Sequence, residues 1–287
     1  MDPLVRPEAA KLCGFAEQLN PWFRRPSDNN ANDVYVGAVR LPGLTQPANA
    51  YVKIFPVSDR FQFVYNEVIA YHLALQCALP SPCTFPCVCP TSFLRPATRA
   101  FMAPDPSSRF VLGVASLDGT PKNIKQTIST SDAAWADLMN WPNVARLAVF
   151  DELMANDDRH LNNLIRRGPH DYLVIDNERI LFGEHWFNRD LKPLQRRRCD
   201  ANVLADTISE TTDQDIRQRM MRIAQHFVMT TLLTVPEIAD NLERLCGAPP
   251  GTTARLIEML NDRRTFLPTL MQWHAQKGDM FRASTHR

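Results

Sequence analysis

The sequence predicts an α+β fold with two lobes, a small β-rich lobe followed by a mostly α-helical lobe. Up to about residue 115, short stretches alternate apolar and polar residues and are separated by turn-forming residues. From Ser131 onward, longer stretches carry apolar residues at helical spacing. The chain of 287 residues is long enough to bury the core of such a fold. We therefore expect an N-terminal lobe over residues 1–115 and a C-terminal lobe over residues 116–287.

The N-terminal lobe is predicted to hold strands and one long helix. A short helix around Glu8–Gln18 and a polar loop precede this lobe's first strand. The elements expected after them are strands at 33–40 and 50–55, a helix at 60–78, and strands at 100–103 and 110–115. Residues 80–90 are rich in proline and cysteine, and we interpret them as a connecting loop. The irregular spacing of Cys83, Cys87 and Cys89 argues against a zinc site there.

The C-terminal lobe is predicted to be mostly helical. The lobe boundary is expected near residues 112–120, where Gly113 and Gly119 would supply flexible links. Ser131 and Asp132 are suitable N-cap residues for the first helix, which Pro142 would end. The remaining elements expected are a helix at 144–155, strands at 172–175 and 180–182, and helices at 213–233, 236–245 and 252–276.

Composition and charge narrow the possible partners and locations. Hydrophobic residues make up 45% of the chain and charged residues 22%, which is typical of a globular protein. The formal net charge is +1, so no global field favours nucleic acid or membrane, and we expect no direct nucleic-acid binding. No stretch approaches 18 consecutive apolar residues, and no secretory signal opens the chain, so a cytoplasmic location is expected. The seven cysteines are then expected to be reduced thiols.

A polar cluster between the helix at 144–155 and the strand at 172–175 carries most of the functional information. Asp158 is followed by Asn163 five residues later and by Asp176 eighteen residues later. Protein-kinase-like enzymes use this spacing for a catalytic base and two magnesium ligands around a nucleoside triphosphate. Asp157 is a competing candidate for the base, but it lies six residues from Asn163.

Other residues around this cluster also indicate a phosphotransferase. His160 is a candidate contact to the γ-phosphate, and Arg159 is expected to brace the loop. Lys53 lies in an apolar strand, where it would hold the α- and β-phosphates, and Glu67 on the following helix can pair with it. Neither G-x-G-x-x-G nor G-x-x-x-x-G-K-[ST] occurs, so the loop over the phosphates has few glycines and a Walker-type NTPase is not expected.

The chain resembles the HipA-like kinases, a bacterial branch related to phosphoinositide-3/4-kinases and eukaryotic protein kinases. The resemblance rests on Asn156-Asp157-Asp158-Arg159-His160-Leu161-Asn162-Asn163, on Val174-Ile175-Asp176-Asn177, and on Phe182-Gly183-Glu184-His185-Trp186. It implies a bilobal protein-kinase-like fold and an ATP- and magnesium-dependent Ser/Thr kinase, often the toxin of a toxin–antitoxin pair. The resemblance also implies that Asp158 is the base and that Asn163 and Asp176 are magnesium ligands.

The sequence departs from the family in two places. Some members are autophosphorylated on a serine of the phosphate-covering loop, whereas residues 37–50 hold Thr45 and no serine. The first strand of the nucleotide-binding lobe is predicted near residue 33, so the N-terminal subdomain of larger members is expected to be absent or reduced.

The residues leave other functions open. A protein substrate and an antitoxin or regulatory partner follow from the resemblance, but a lipid or small-molecule acceptor is an alternative. The basic stretch 188–198 would suit an acidic partner or a phosphoinositide headgroup, although most such stretches are solvated surface. A nucleotide-binding pseudokinase that acts as an interaction module is the remaining alternative.

Overall fold

The computed structural model describes most of the chain in separate ranges. These are residues 16–18, 23–24, 33–40, 46–55, 60–93, 110–117, 122–123, 128, 130–183, 185–211 and 213–285. The described residues within 1–71, 82–120 and 236–250 form one compact unit, and those within 72–81, 121–235 and 251–287 form another. The predicted boundary at residue 115, between a nucleotide-binding lobe and a lobe with the catalytic loop, stays a prediction.

The described residues form the following strands and helices. The strands are β1 Ala16–Gln18, β2 Phe23–Arg24, β3 Asp33–Arg40, β4 Ala48–Ile54, β5 Cys83–Pro90, β6 Phe110–Leu117, β7 Lys122–Asn123, β8 Leu164–Gly168 and β9 Asp171–Val174. The α-helices are α1 Arg60–Gln76, α2 Ser131–Met139, α3 Val144–Met154, α4 Val203–Glu210, α5 Gln214–Thr230, α6 Ala239–Cys246 and α7 Thr252–Thr285. None of the helices in these ranges is long and apolar enough to cross a lipid bilayer.

The first unit is built on a curled, largely antiparallel sheet. Its strands lie in the order β1-β5-β6-β4-β3-β2, and β1 also pairs with β3, which brings the two sides of the sheet together. Along β4, Ala50, Val52 and Ile54 are buried while Lys53 lies on the alternate face, as the two-residue period of a strand requires. The strand thus anchors its apolar side chains in the core and presents one lysine on the other face.

Gly113 allows β6 to lie close to the lysine strand. Ile54 pairs with Gly113 and Lys53 with Val114 in the antiparallel ladder. A Cβ atom at Gly113 would lie 2.4 Å from the backbone oxygen of Lys53, closer than real Cβ contacts. The expectation that Gly113 is a flexible link is therefore wrong, because it lies inside a strand where the backbones approach too closely for a side chain.

The second unit is mostly helical around α3. All residues of α3 except Arg146 are buried, and the helix packs against α4, α5 and α7. Strands β8 and β9 follow the polar loop after α3 and form a three-stranded sheet with β7, in the order β7-β8-β9. The N–H of Val174 at the end of β9 donates to the backbone oxygen of Pro80 (2.9 Å), and the Ser81 hydroxyl donates to that of Val174 (2.9 Å). These bonds fix the end of β9, which leads into Asp176.

The predicted α+β class is confirmed, with a sheet and one long helix in the N-terminal part and mostly helices after residue 130. The predicted strands at 33–40, 50–55 and 110–115 and the long helices are present, with ends shifted by a few residues. The tail of the helix predicted at Glu8–Gln18 is wrong, because Ala16–Gln18 is a strand. The rest of that helix, most of the loop at 41–49, the strand at 100–103 and Gly119 lie outside the described residues.

Three other expectations are corrected by the structure. Residues 83–90 form strand β5 between β1 and β6 rather than a connecting loop, because Phe85, Cys87 and Cys89 alternate into the core despite the prolines. Residues 181–183 form a 3₁₀ turn rather than a strand. The N-cap of α2 is Thr130, whose hydroxyl accepts from the N–H of Ala133 (3.2 Å).

Candidate active site

The loop after α3 begins with a left-handed residue. Ala155 has φ 49° and ψ 46°, and its N–H donates back to the carbonyls of Asp151 and Glu152. The N–H of Asn156 also donates to the carbonyl of Asp151 (2.9 Å), so the last turn of α3 is capped by the loop itself. The buried end of the helix thereby fixes the start of loop 155–163, which carries the predicted catalytic residues.

Arg159 is the central brace of loop 155–163. Its side chain is 1% exposed, and its Nε and Nη2 donate to the Asp151 carboxylate at 2.9–3.2 Å. The Nη2 atom also donates to Asn177 Oδ1 (2.6 Å), and Nη1 donates to the backbone oxygen of Ile175 (2.6 Å). One guanidinium therefore joins the end of α3 to both residues that flank Asp176. The expectation that Arg159 braces the loop is confirmed.

The paired carboxylate, Asp151, lies wholly within the core. Burial raises the pKa of the Asp151 carboxyl, the Arg159 charge opposes that effect, and the neighbouring Glu152 adds to it. Without the guanidinium, this carboxylate would be left buried with no counter-charge, which is an expensive arrangement.

Two hydrogen bonds within the loop hold Asp158, one to Asn156 and one from Asn163. The Asp158 N–H donates to Asn156 Oδ1 (3.1 Å), and Asn163 Nδ2 donates to the Asp158 backbone oxygen (2.8 Å). The backbone of Asp158 is thus clamped while its side chain stays 41% exposed. That combination presents a carboxylate at a fixed position to solvent or to a bound molecule.

The side-chain oxygen of Asn163 is buried and has no hydrogen-bond donor within the described part of the chain. Because a carbonyl oxygen can only accept, the Nδ2 group must face Asp158, and Oδ1 must point the other way. The backbone of Asn163 is fixed as well, since its carbonyl accepts from the Ile175 N–H (3.1 Å). A buried amide oxygen that is held in place but accepts no hydrogen bond is suited to bind a cation.

Asp176 follows this fixed position in an unusual backbone conformation. Its φ is +67°, a left-handed geometry that aspartate tolerates better than most residues. A carboxylate oxygen of Asp176 lies within 4.8 Å of one from Glu178. Two carboxylates this close favour a bound cation, which offsets their mutual repulsion.

The chain then turns sharply through segment 176–183. Leu181, Phe182 and Gly183 all have φ between 56° and 64°, and the Phe182 N–H donates to the Ala155 carbonyl (2.8 Å). Consecutive left-handed residues are costly outside glycine and persist only where the surroundings hold them. The bond to Ala155 ties this segment to the start of loop 155–163.

Arg179 lies beside the predicted base. Its Nε is 4.0 Å from Asp158 Oδ2, and both side chains are about half exposed. A Cβ at Gly183 would lie 3.2 Å from Arg179 Nε, so the glycine makes room for the guanidinium. An exposed pair at this distance contributes about 0–1 kcal/mol and is easily exchanged for another partner.

A second buried network anchors the other side of the α3 terminus. Glu152, next to Asp151, accepts from Arg263 Nη2 (2.9 Å) and from the Cys199 N–H (3.1 Å). His274 lies between Glu152 Oε2 (3.1 Å) and Asp206 Oδ1 (2.8 Å). Burial by itself lowers the pKa of His274, but the hydrogen bonds to Asp206 and Glu152 and their charges outweigh it and raise the pKa.

In the first unit, Lys53 and Glu67 form the predicted ion pair. Lys53 Nζ lies 3.3 Å from Glu67 Oε1, with side-chain exposures of 14% and 8%. The ammonium also lies 5.1 Å from the centroid of the Phe55 ring, within the range of a cation–π contact. The pair is thus partly desolvated and held in one geometry, rather than being two solvated surface charges.

The structure brings together the predicted residues within each unit. Backbone and side-chain bonds link Asp158 with Asn163, and Asn163 with the strand before Asp176, while the predicted His160 has an exposed side chain. Asp157 differs from Asp158 in that its Oδ1 is buried with no hydrogen-bond partner in the described residues. Sequence reasoning missed Glu178 and Arg179, whose only signal was their position two and three residues after Asp176.

No protein-family model matches this chain, and no curated protein does either. Among solved structures, the chain is similar to a Helicobacter pylori proinflammatory kinase, CtkA, with 12% sequence identity. The similarity covers 93% of this chain and 99% of that chain, and the TM-score is 0.43. Along the chain, the described elements run from the strand of Lys53 and the helix of Glu67 to the polar loop, the hairpin β8–β9 and Asp176.

Proposed function

We propose that this protein is an ATP- and magnesium-dependent kinase that transfers the γ-phosphate to a hydroxyl group, in the first instance a serine or threonine of a protein. The observation that carries the proposal is the buried, unpartnered Oδ1 of Asn163, held five residues after an exposed and clamped Asp158. A loop built only for stability would pair such an oxygen with a donor.

The residues present fit a magnesium ion. Asn163 Oδ1 and the carboxylate of Asp176 would hold it, with Glu178 as a further oxygen ligand beside Asp176. Magnesium prefers a few hard oxygen ligands and keeps the remainder as water or phosphate. When bound, the ion supplies charge neutralisation on the phosphates of the nucleotide.

The chain's own groups supply positioning and proton transfer. Asp158 orients the acceptor hydroxyl and takes its proton as the oxygen attacks the γ-phosphorus, while the bond from the γ-phosphorus to the β–γ bridging oxygen breaks and ADP leaves. Arg159 keeps loop 155–163 and the residues around Asp176 at fixed positions, which matters because phosphoryl transfer depends on alignment. His160 is proposed to contact the γ-phosphate.

Lys53 and Glu67 are proposed to act on the nucleotide. Glu67 fixes the ammonium group of Lys53, which binds the α- and β-phosphates as a point charge. The proposal also includes three further points. They are the assignment to the HipA-like, toxin-type kinases, an antitoxin or regulatory partner, and a cytoplasmic location. Support for that branch is the order of residues 156–163 and 174–177.

Paired variants of the two neighbouring aspartates test the proposal. Asp158→Asn should keep the fold and ATP binding, because the substitution preserves shape and the base acts on the transition state. Phosphoryl transfer should fall by about 10²–10⁴-fold. Asp157→Asn is the matched control and should lose far less activity.

The assay uses γ-labelled ATP with a dephosphorylated cell lysate, followed by mass spectrometry of the labelled products. Phosphoserine or phosphothreonine that depends on Asp158 supports a protein kinase, whereas label in lipid or small molecules identifies the alternative acceptor. ATP binding without transfer to any acceptor would identify a pseudokinase. Equal losses in the two variants would contradict the assignment of Asp158 as the base.

A further inference from the structure

Three consecutive arginines, Arg196, Arg197 and Arg198, each stack on a different aromatic ring. We call them the arginine cluster. Their guanidinium carbons lie 4.5 Å from the Phe266 ring centroid, 3.9 Å from that of Phe182 and 4.1 Å from that of Trp273, respectively. All three arginines are exposed. These distances are within the cation–π range, and three successive contacts of this kind are more than chance exposure of a basic stretch would give.

The two outer arginines lie along one helix. Phe266 and Trp273 are seven residues apart on α7, which places them about 10 Å apart along its axis. The exposed residues of α7 next to these rings are Thr265, Thr269, Gln272 and Gln276, which are uncharged hydrogen-bonding groups, and Asp262, which lies one turn before Phe266. Arg196 and Arg198 therefore form two cationic positions at a fixed spacing beside a polar strip.

Positive charge is concentrated around the cluster. Residues 188–200 carry five cationic side chains and two carboxylates, whereas the whole chain has a net charge of only +1. Of the two carboxylates, Asp200 lies 3.8 Å from Arg198 as an exposed pair. Asp262, the acidic residue of α7 nearest Phe266 in sequence, accepts from Gln195 (2.9 Å). The surface is thus complementary to an anion.

Stacking on a ring orders a guanidinium without using its N–H groups. The planar edge stays available for a bidentate bond to a carboxylate, and less side-chain entropy is lost when that bond forms. In an extended polyproline II segment each residue rises by about 3.1 Å and three residues make one turn, so side chains three positions apart lie on the same face, about 9 Å apart. This span matches the spacing of Phe266 and Trp273.

We propose that the arginine cluster is a docking site for an extended acidic segment of a partner protein, with carboxylates three residues apart on Arg196 and Arg198. A protein segment suits the site better than a membrane, because Phe266 and Trp273 are part-buried beneath the guanidiniums and cannot insert into a bilayer. Arg197 joins the cluster to Phe182 of segment 176–183, so the partner would contact the stretch of chain that carries Asp176.

The proposal goes beyond the kinase activity and is tested without nucleotide. The full-length protein is titrated at low ionic strength into a fluorescein-labelled peptide with glutamate at every third position, and binding is followed by anisotropy. The same peptide with glutamine in place of glutamate should not bind. Arg196→Ala with Arg198→Ala should weaken binding of the glutamate peptide by at least about tenfold, because two charge-assisted bonds are lost.

A matched control separates docking from net charge. Arg189→Ala with Lys192→Ala also removes two positive charges from stretch 188–198, but not those of the stacked arginines, and should weaken binding by less than about threefold. Arg196→Lys with Arg198→Lys keeps the charge but loses the stacked fork, so it should also weaken binding. That lysine variant provides the measurement if the alanine variant does not fold, as judged by circular dichroism.

Three results would overturn the proposal. They are equal weakening in the Arg189/Lys192 control, unchanged affinity in the lysine variant, and no peptide binding by the wild type alongside binding to phosphatidylserine vesicles. The last result would assign the surface to a membrane. None of the three bears on the proposed kinase activity, because no nucleotide or catalytic residue takes part in the assay.

Discussion

Replacing Arg159 by lysine tests whether the planar guanidinium, and not its charge alone, holds loop 155–163 against the strand before Asp176. In the structure this side chain donates to the Asp151 carboxylate and to three further acceptors, the backbone oxygens of Asn163 and Ile175 and Asn177 Oδ1. A lysine brings one ammonium group on a flexible stem and cannot reach all of these acceptors in the same fixed geometry.

The expected size of the effect follows from the contacts that are lost. We expect the ammonium of a lysine to stay with Asp151 and to abandon the other acceptors, of which the Asn163 oxygen keeps the N–H of Ile175 as a donor. The loss of the guanidinium donor costs about 1–3 kcal/mol for each of the other two acceptors, so Arg159→Lys should lower the free energy of unfolding by about 2–6 kcal/mol. Arg159→Met also leaves Asp151 buried without a counter-charge and should cost at least about 3–5 kcal/mol.

Urea denaturation followed by circular dichroism measures the loss, and single-turnover phosphate transfer is measured where the lysine variant is fully folded. The transfer rate should fall by about 10²-fold, because a displacement of about 1 Å in the catalytic geometry has that effect. Arg166→Lys is the matched control, since Arg166 pairs with Asp137 at a partly exposed position and lies outside loop 155–163. We expect a loss of about 1 kcal/mol or less for that variant.

An Arg159→Lys protein with the urea midpoint and transfer rate of the wild type would refute this reasoning. It would mean that charge compensation of Asp151 suffices and that the bonds to Ile175 and Asn177 do not hold the loop. A large stability loss with an unchanged transfer rate would limit the role of Arg159 to folding.

The remaining predictions address the nucleotide, the metal and pH. Asp176→Ala should remove the magnesium-dependent part of ATP binding in calorimetry, and equal affinity in magnesium for variant and wild type would contradict it. Lys53→Met should weaken ATP binding more than the matched Glu67→Gln, which keeps the lysine; the reverse order would argue against a phosphate contact. Because the pKa of His274 is raised in the folded protein, its ion pairs stabilise fully below pH 6.5, its ordinary pKa, and less as pH rises through the folded pKa. The melting-temperature difference between wild type and His274→Gln should therefore shrink above pH 6.5, and a constant difference would count against a charged His274.

Periodicity in the sequence was sufficient for most of the fold. Helices α3, α5 and α7 and strands β3, β4 and β6 follow from the regular spacing of their apolar residues, which the local sequence displays directly. Strand β5 was missed because its prolines and cysteines are typical of loops, while the pairing with β6 that stabilises it lies more than twenty residues away. Long-range pairing of this kind leaves little trace in a local window.

The residues of the candidate site were predictable from the sequence, but the contacts that hold them in place were not. The spacing of Asp158, Asn163 and Asp176 is a linear pattern that can be read from the sequence. By contrast, the orphan oxygen of Asn163 and the left-handed backbone of Asp176 depend on which groups the fold brings alongside. Arg179 could not be placed beside Asp158 from the sequence, since the turn through segment 176–183 sets their contact.

The last turn of α3 explains why the core of this protein contains so much charge. Asp151 and Glu152 are adjacent and fully buried, yet Asp151 pairs with Arg159 of the loop, and Glu152 pairs with Arg263 and His274 of α7. Buried ion pairs are poor contributors to stability compared with apolar residues of the same volume, but removing one partner is strongly unfavourable. Such pairs therefore penalise any arrangement in which the loop or α7 shifts relative to α3. The alignment that the proposed phosphoryl transfer requires gains from that penalty, because the buried Asp151–Arg159 pair holds the loop bearing Asp158 to the end of α3.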